Sequence, residues 1–375
     1  MFLFKKLLFC ILSFVLLNCT NNKYSDIIDP DTLINLKWNK AYPDDTIDKS
    51  LIGLKWALSY CGAVLPSSTN GFIVSGNTIT INLKNIGFTE TAYQKLLTLS
   101  DKIKASPEYK ITNSVDLGRY IALLIGASEH YYEITGIPST LNELVSNYEL
   151  LPIKGYINNS MIASNHRLIQ FSKQNGFNQL YISTELDSIS EKILEYETIE
   201  IIPNGQLRFG IFDENGKRIL AANSKHTAAG KPAKCIWCHE SFFNPLFSKQ
   251  KNVENYLTQD ELQSQIKSDN EMLQKRRRKL QSEINYNNKQ DHVYTELLYI
   301  SFMEPSAERL SLEWNVPINE VKMKLYGLQT HIYEEFPFLG NLYHRNEIEK
   351  LAPFKSLKVS NAIREFSDNE VHHLN

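Results

Sequence analysis

Two thiols and an imidazole stand within five residues at Cys235-Ile236-Trp237-Cys238-His239. With five Cys and nine His in 375 residues, composition alone would place such a C-x-x-C-H run about 0.002 times, so chance is a weak explanation. A zinc ion could take both thiolates and the imidazole, but a closed tetrahedral site wants a fourth ligand, usually from a second spaced pair. The sequence has no second pair. A thioredoxin-like dithiol would open a helix after a buried strand, and Ala228-Ala229-Gly230-Lys231-Pro232-Ala233-Lys234 makes a poor buried strand. A structural disulfide would need an oxidising compartment.

The C-x-x-C-H run resembles the haem attachment site of c-type cytochromes. That resemblance implies one covalent haem c, with thioethers from Cys235 and Cys238 and His239 as the proximal iron ligand. It covers the motif and not the chain. Small c-type cytochromes lead into the motif with a helix, whereas a meander and a loop are expected here. A single motif also departs from the dihaem peroxidases. For the distal position the expectation is Met303, which ends an apolar helix before Glu304-Pro305. His226, in a pliant loop nine residues before Cys235, is the runner-up. Met272 and Met323 lie among lysines and arginines. Phe242, Phe243, Leu246 and Phe247 could wall a haem edge or simply fill a core.

Haem c attachment in bacteria takes place outside the cytoplasm, and the head of the chain reads as an export address. Lys5 and Lys6 precede an apolar run, Leu7 to Leu17, too short to span a bilayer comfortably. It ends in Leu16-Leu17-Asn18-Cys19, followed by polar residues, and resembles a bacterial lipoprotein signal. That implies removal of residues 1–18 and lipidation of Cys19; an uncleaved signal anchor is the alternative. Cys61 stands alone in an apolar segment and is expected to be a buried thiol.

The elements that must position the motif follow from periodicity. Residues 19–40 are expected to be a tether. Ile47, Leu51, Leu54 and Leu58 recur at helical spacing, residues 71–83 suggest a hairpin, and residues 89–103 and 115–134 suggest helices. Ser139 or Thr140 can cap a further helix. Extended runs around Asn175-Gly176, Pro203-Asn204-Gly205 and Asn215-Gly216 predict a β-meander over 165–221. Thr258 and Glu261 form a capping box ahead of a long charged helix; helices over 292–303, 306–314 and 318–327 follow. The fold class expected is α+β, an N-terminal mixed helical and β-meander region over 41–224 and a mainly helical haem-bearing region over 225–375.

Lys+Arg 40 against Asp+Glu 42 leaves a charge of -2, which offers no electrostatic case for nucleic acid. The basic run Lys275–Lys279 is expected to be a solvated helix face. Residues 307–325 resemble a helix-turn-helix, a pattern shared by plain helical hairpins. His130, His166, His292, His331, His344, His372 and His373 show no zincin-like spacing and are expected on the surface or satisfied in the core. The combined expectation is an exported, lipid-anchored monohaem c-type protein of the bacterial cell envelope, facing the periplasm or in the outer membrane. It would act as an electron carrier for a redox partner protein rather than as the catalyst of a defined reaction. The alternatives are a haem-containing binding or sensing lipoprotein, an enzyme using the haem as a relay, and a structural disulfide or zinc site.

Overall fold

The computed structural model of the protein describes residues 29–248, 250–360 and 370–375. The expected signal and Cys19 lie outside the described residues. Contacts divide the chain after Thr32. The described part of the first unit holds one 3-10 turn, Pro30–Thr32. The second unit, Leu33–Asn375, carries an α+β fold with two sheets. Among the described residues no helix is long and apolar enough to cross a membrane.

The first sheet contains β1 (Leu33–Lys37), β2 (Phe72–Ser75), β3 (Thr78–Asn82) and β4 (Val115–Asp116), in the order β2-β3-β1-β4. Strand β1 falls within the stretch expected to be tether. Its period-two pattern explains the difference: Ile34 and Leu36 are buried, while Leu33, Asn35 and Lys37 stay partly exposed. The second sheet is an antiparallel meander of β5 (Gly155–Ile157), β6 (His166–Phe171), β7 (Leu180–Leu186), β8 (Ile193–Ile201) and β9 (Leu207–Asp213). Gly176 turns the chain between β6 and β7, and Gly205 between β8 and β9, both at positive φ. Beyond Asn215-Gly216 no further strand forms among the described residues, and Arg218 makes a single bridge to Phe212. Its guanidinium is held instead by Glu129, 3.0 Å away.

The helices are α1 (Ile47–Tyr60), α2 (Glu90–Ala105), α3 (Pro107–Thr112), α4 (Leu117–Ile121), α5 (Ser128–Thr135), α6 (Leu141–Val145), α7 (Pro232–His239), α8 (Gln259–Arg277), α9 (Val293–Met303), α10 (Ala307–Trp314), α11 (Ile318–Lys324) and α12 (Arg345–Ile348). Thr140 caps α6, and the capping box at Thr258 and Glu261 starts α8. The single helix expected over 115–134 is instead β4, α4, a π turn at Ala122–Gly126, and α5. The cause is the close passage of α9: a Cβ on Gly126 would sit 2.8 Å from the Tyr299 ring.

One hydrophobic core joins Leu54 and Trp56 of α1, Phe171, Tyr181 and Phe209 of the meander, Ile236 and Trp237 of α7, and Tyr299 and Phe302 of α9. Residues from both sides of the expected 224/225 boundary therefore share it. Thr295 of α9 donates its hydroxyl to the Gly53 carbonyl at 2.7 Å, tying the late helix to the early one. A smaller core of Leu310, Trp314, Val321, Leu325 and Ile348 holds α10, α11 and α12 together.

Candidate functional site

Helix α7 carries the C-x-x-C-H run as its last five residues and is entered through Pro232 in its first turn, where a missing N–H costs nothing. Lys231, at the N-cap, is fully buried; its ammonium donates to the Gly126 carbonyl and pairs with Glu370 at 2.5 Å. The far end stops at Glu240, which takes a positive φ. Just beyond it, Arg277 donates Nε to the Gly205 carbonyl at 2.7 Å and Nη2 to the Ser241 carbonyl at 2.6 Å. Arg277 corrects the expectation of a solvated basic face. It is buried over the Phe242 and Tyr286 rings, while Lys275, Arg278 and Lys279 remain exposed.

Residues four apart on a helix share a face. Cys235 and His239 accordingly face one pocket between α7 and the meander. Ile169, Tyr181, Ile182, Ile199 and Phe209 line it from the sheet. Phe243, Pro245, Leu246 and Phe247 line it from the segment after the motif. Three of the four residues singled out in that segment thus reach the pocket, and Phe242 packs on Arg277 instead. Cys238, one residue before His239, is not among the lining residues. Neither Cys235 nor Cys238 is in a disulfide.

The electrostatics favour neutral groups. Burial lowers His239 to about 4, so the imidazole is uncharged at neutral pH with a lone pair available. Its Nδ1 is buried without a hydrogen bond, and the Phe209 ring lies against it, centroids 5.8 Å apart at 29°. Burial, reinforced by Glu197, pushes the Cys235 thiol well up, opposite to the lowered pKa of a reactive dithiol.

One charged cluster borders this apolar space. Arg167 donates to Glu197 at 2.8 Å, to Glu185 at 2.7 Å and to the Thr227 hydroxyl at 3.1 Å, and its Nε is buried without a partner. Burial opposes its charge, but these carboxylates hold it cationic. Glu195, opposite Glu185 in the β7–β8 register, is raised by burial to about 7 against the Asn223 N–H that it accepts. Sequence reading missed this cluster. The Glu195-x-Glu197 alternation on a strand was its one local signal, and the partners come from β6 and β7.

Met303 and His226 do not line the pocket with His239. Met303 is buried in the main core, where α9 runs beside α1 and α4. His226 sits in the loop before α7, its carbonyl accepting from Asn165. Three groups of His, Asp or Glu among the described residues are close enough to share a cation, and none includes Cys235, Cys238 or His239. Compared with known proteins, the chain matches no family model, no curated protein and no solved structure.

Proposed function

We propose that the chain is an exported monohaem c-type protein, lipid-anchored through Cys19 in the bacterial cell envelope, and that it carries single electrons to or from a redox partner protein. The observation that supports this reading is the C-x-x-C-H run wound as one helix whose Cys235 and His239 face an apolar pocket. The residues present fit the group. Cys235 and Cys238 would supply the thioethers, and His239, neutral and with an unsatisfied ring nitrogen, the iron ligand. When bound, the haem supplies a one-electron iron couple. Ile199, Phe209, Phe243, Leu246 and Phe247 exclude water from the pocket, and burial in such surroundings shifts a redox potential. Arg167 and its partner Glu197 are the charged pair of the pocket wall, so the arginine's charge is already compensated there.

The test is haem-peroxidase staining after denaturing electrophoresis of protein expressed with a haem c maturation system. A stained band is expected, abolished when Cys235 and Cys238 are both replaced by Ser; an unstained wild-type band at full expression overturns the reading.

A second reading, small-ligand binding or sensing, is favoured by a specific feature. Among the described residues lining the pocket, His239 is the one imidazole and methionine is absent. An open axial position would follow, and ferrous protein would then bind carbon monoxide. Electron transfer with a closed sixth position would instead show ferric spectra altered by Met303→Ala or by His226→Ala.

A further inference from the structure

The C-terminal end of α9 gathers a second set of ligand-bearing side chains, none of which lines the pocket beside α7. Glu304 caps the helix and is 4% exposed. His331 Nε2 lies 3.1 Å from Glu304 Oε2, and His344 Nδ1 lies 3.4 Å from Glu304 Oε1. The two imidazoles stack with centroids 4.5 Å apart and planes 16° apart, so both present a nitrogen to one carboxylate.

Backbone contacts hold the three residues in place. His331 exchanges both N–H···O bonds with Leu342, at 3.1 and 2.9 Å, two residues before His344. Tyr343 donates its N–H to the Pro305 carbonyl at 3.0 Å, beside Glu304. Arg345 donates Nε to the Phe302 carbonyl at 2.8 Å, anchoring the other side of His344. Within this frame Glu304 Oε2 and His331 Nε2 are buried and make no hydrogen bond. Two buried polar atoms that face each other at 3.1 Å without hydrogen-bond geometry are poorly satisfied, and a shared cation would satisfy both.

We propose that Glu304, His331 and His344 bind one divalent cation of the zinc class. Two imidazoles and a carboxylate are a donor set of open zinc sites, with a water in the fourth position. Metal–ligand bonds of about 2.0–2.1 Å in a tetrahedron place neighbouring ligand atoms about 3.3–3.4 Å apart. The 3.1 and 3.4 Å separations run to the two different oxygens of Glu304, and one ligand atom from each of the three residues lies within 4.8 Å of the others, so a small shift brings them to that spacing. His344, the exposed member, marks the side from which water completes the shell.

Zinc chloride titrated calorimetrically into the full mature chain, with metal content measured after dialysis, tests the site. One zinc per chain is expected, and it should persist in the Cys235→Ser/Cys238→Ser variant. Removing an outer-shell partner typically costs ~10–100-fold in affinity, and loss of a direct ligand in His331→Ala or Glu304→Gln should cost at least as much. His344→Ala changes an exposed side chain and leaves folding intact by circular dichroism, so a weakening of tenfold or more there reports ligation. Unchanged affinity in His344→Ala overturns the site. So does absence of bound zinc in the wild type, or loss of zinc only with the cysteines.

Discussion

The ring of Phe209 fills the space between β9 and α7, 1% exposed, and leans on His239, while the Phe209 backbone N–H donates to the Tyr131 hydroxyl oxygen at 3.2 Å. Truncating it removes a buried aromatic from a wall that β8 holds in register on one side and α7 covers. Phe209→Ala should therefore destabilise the protein by ~3–5 kcal/mol. Phe338→Ala, at a half-exposed ring, should cost well under that. Urea unfolding of the two variants beside the wild type measures the contrast; a near-neutral Phe209→Ala would mean that the pocket wall collapses freely. At this scale the motif was legible because its three chemical groups are covalent neighbours, and spacing alone places Cys235 and His239 on one helix face. Arg167, Glu185 and Glu197 were not legible, since three strands bring them together through space. Nor were Glu304, His331 and His344, which meet only once the loop after α11 has folded back on the end of α9.

At the scale of elements, α9 is the hinge of the packing, and its close approach to α4 depends on a missing side chain. A Cβ on Gly118 would meet the Phe302 side chain and stand 2.9 Å from the Leu298 carbonyl, a backbone atom that cannot swing away. In an isolated helix Gly→Ala gains about 1 kcal/mol. Here overpacking should reverse the sign, and Gly118→Ala is expected to lose ~1–3 kcal/mol, read as a lower urea midpoint at unchanged slope. An increase in stability would show that α4 and α9 can separate at no cost. Most elements were legible because their signals are local. The capping residues Thr140 and Thr258, the period-two strands and the turn glycines of the meander all act within a few residues. The breaks within 115–134 were not legible, because the crowding that produces them comes from Tyr299, Leu298 and Phe302 far along the chain. Strand β1 was lost for the opposite reason: five residues are too few for periodicity to stand out beside a polar approach.

Across the whole molecule, the main core and the smaller α10–α12 core meet at a buried ionic network built round the Phe302 ring. Arg345, Arg119 and Arg309 lie over that ring at 4.0, 5.0 and 5.5 Å. Arg309 pairs with Asp116 of β4 at 2.9 Å and with Glu313 of its own helix. Arg345 of α12 reaches Glu313 at 2.7 Å, and Arg119 of α4 reaches Glu349 at 2.9 Å and Glu108 of α3 at 3.4 Å. Burial alone would raise Glu313, but Arg345, Arg309 and Arg119 overcome it and hold the carboxyl at about 2. The unfolded chain restores an ordinary value near 4.5. A depressed folded pKa contributes stability that is complete above the unfolded value and is lost as pH falls through the folded one. Glu313 should therefore support the fold fully above pH ~4.5 and progressively less between about 4.5 and 2, by on the order of 3 kcal/mol in total. Glu313→Gln cannot titrate, and it leaves the arginines short of a charge at every pH. Urea unfolding at steps from pH 7 to 2.5 should show a stability gap between wild type and Glu313→Gln that is constant down to about pH 4.5 and narrows below it. A gap that holds its size to pH 2.5 would mean that the arginines are satisfied by Asp116, Glu108 and Glu349 without Glu313, and that the two cores are joined by packing on Phe302 rather than by charge.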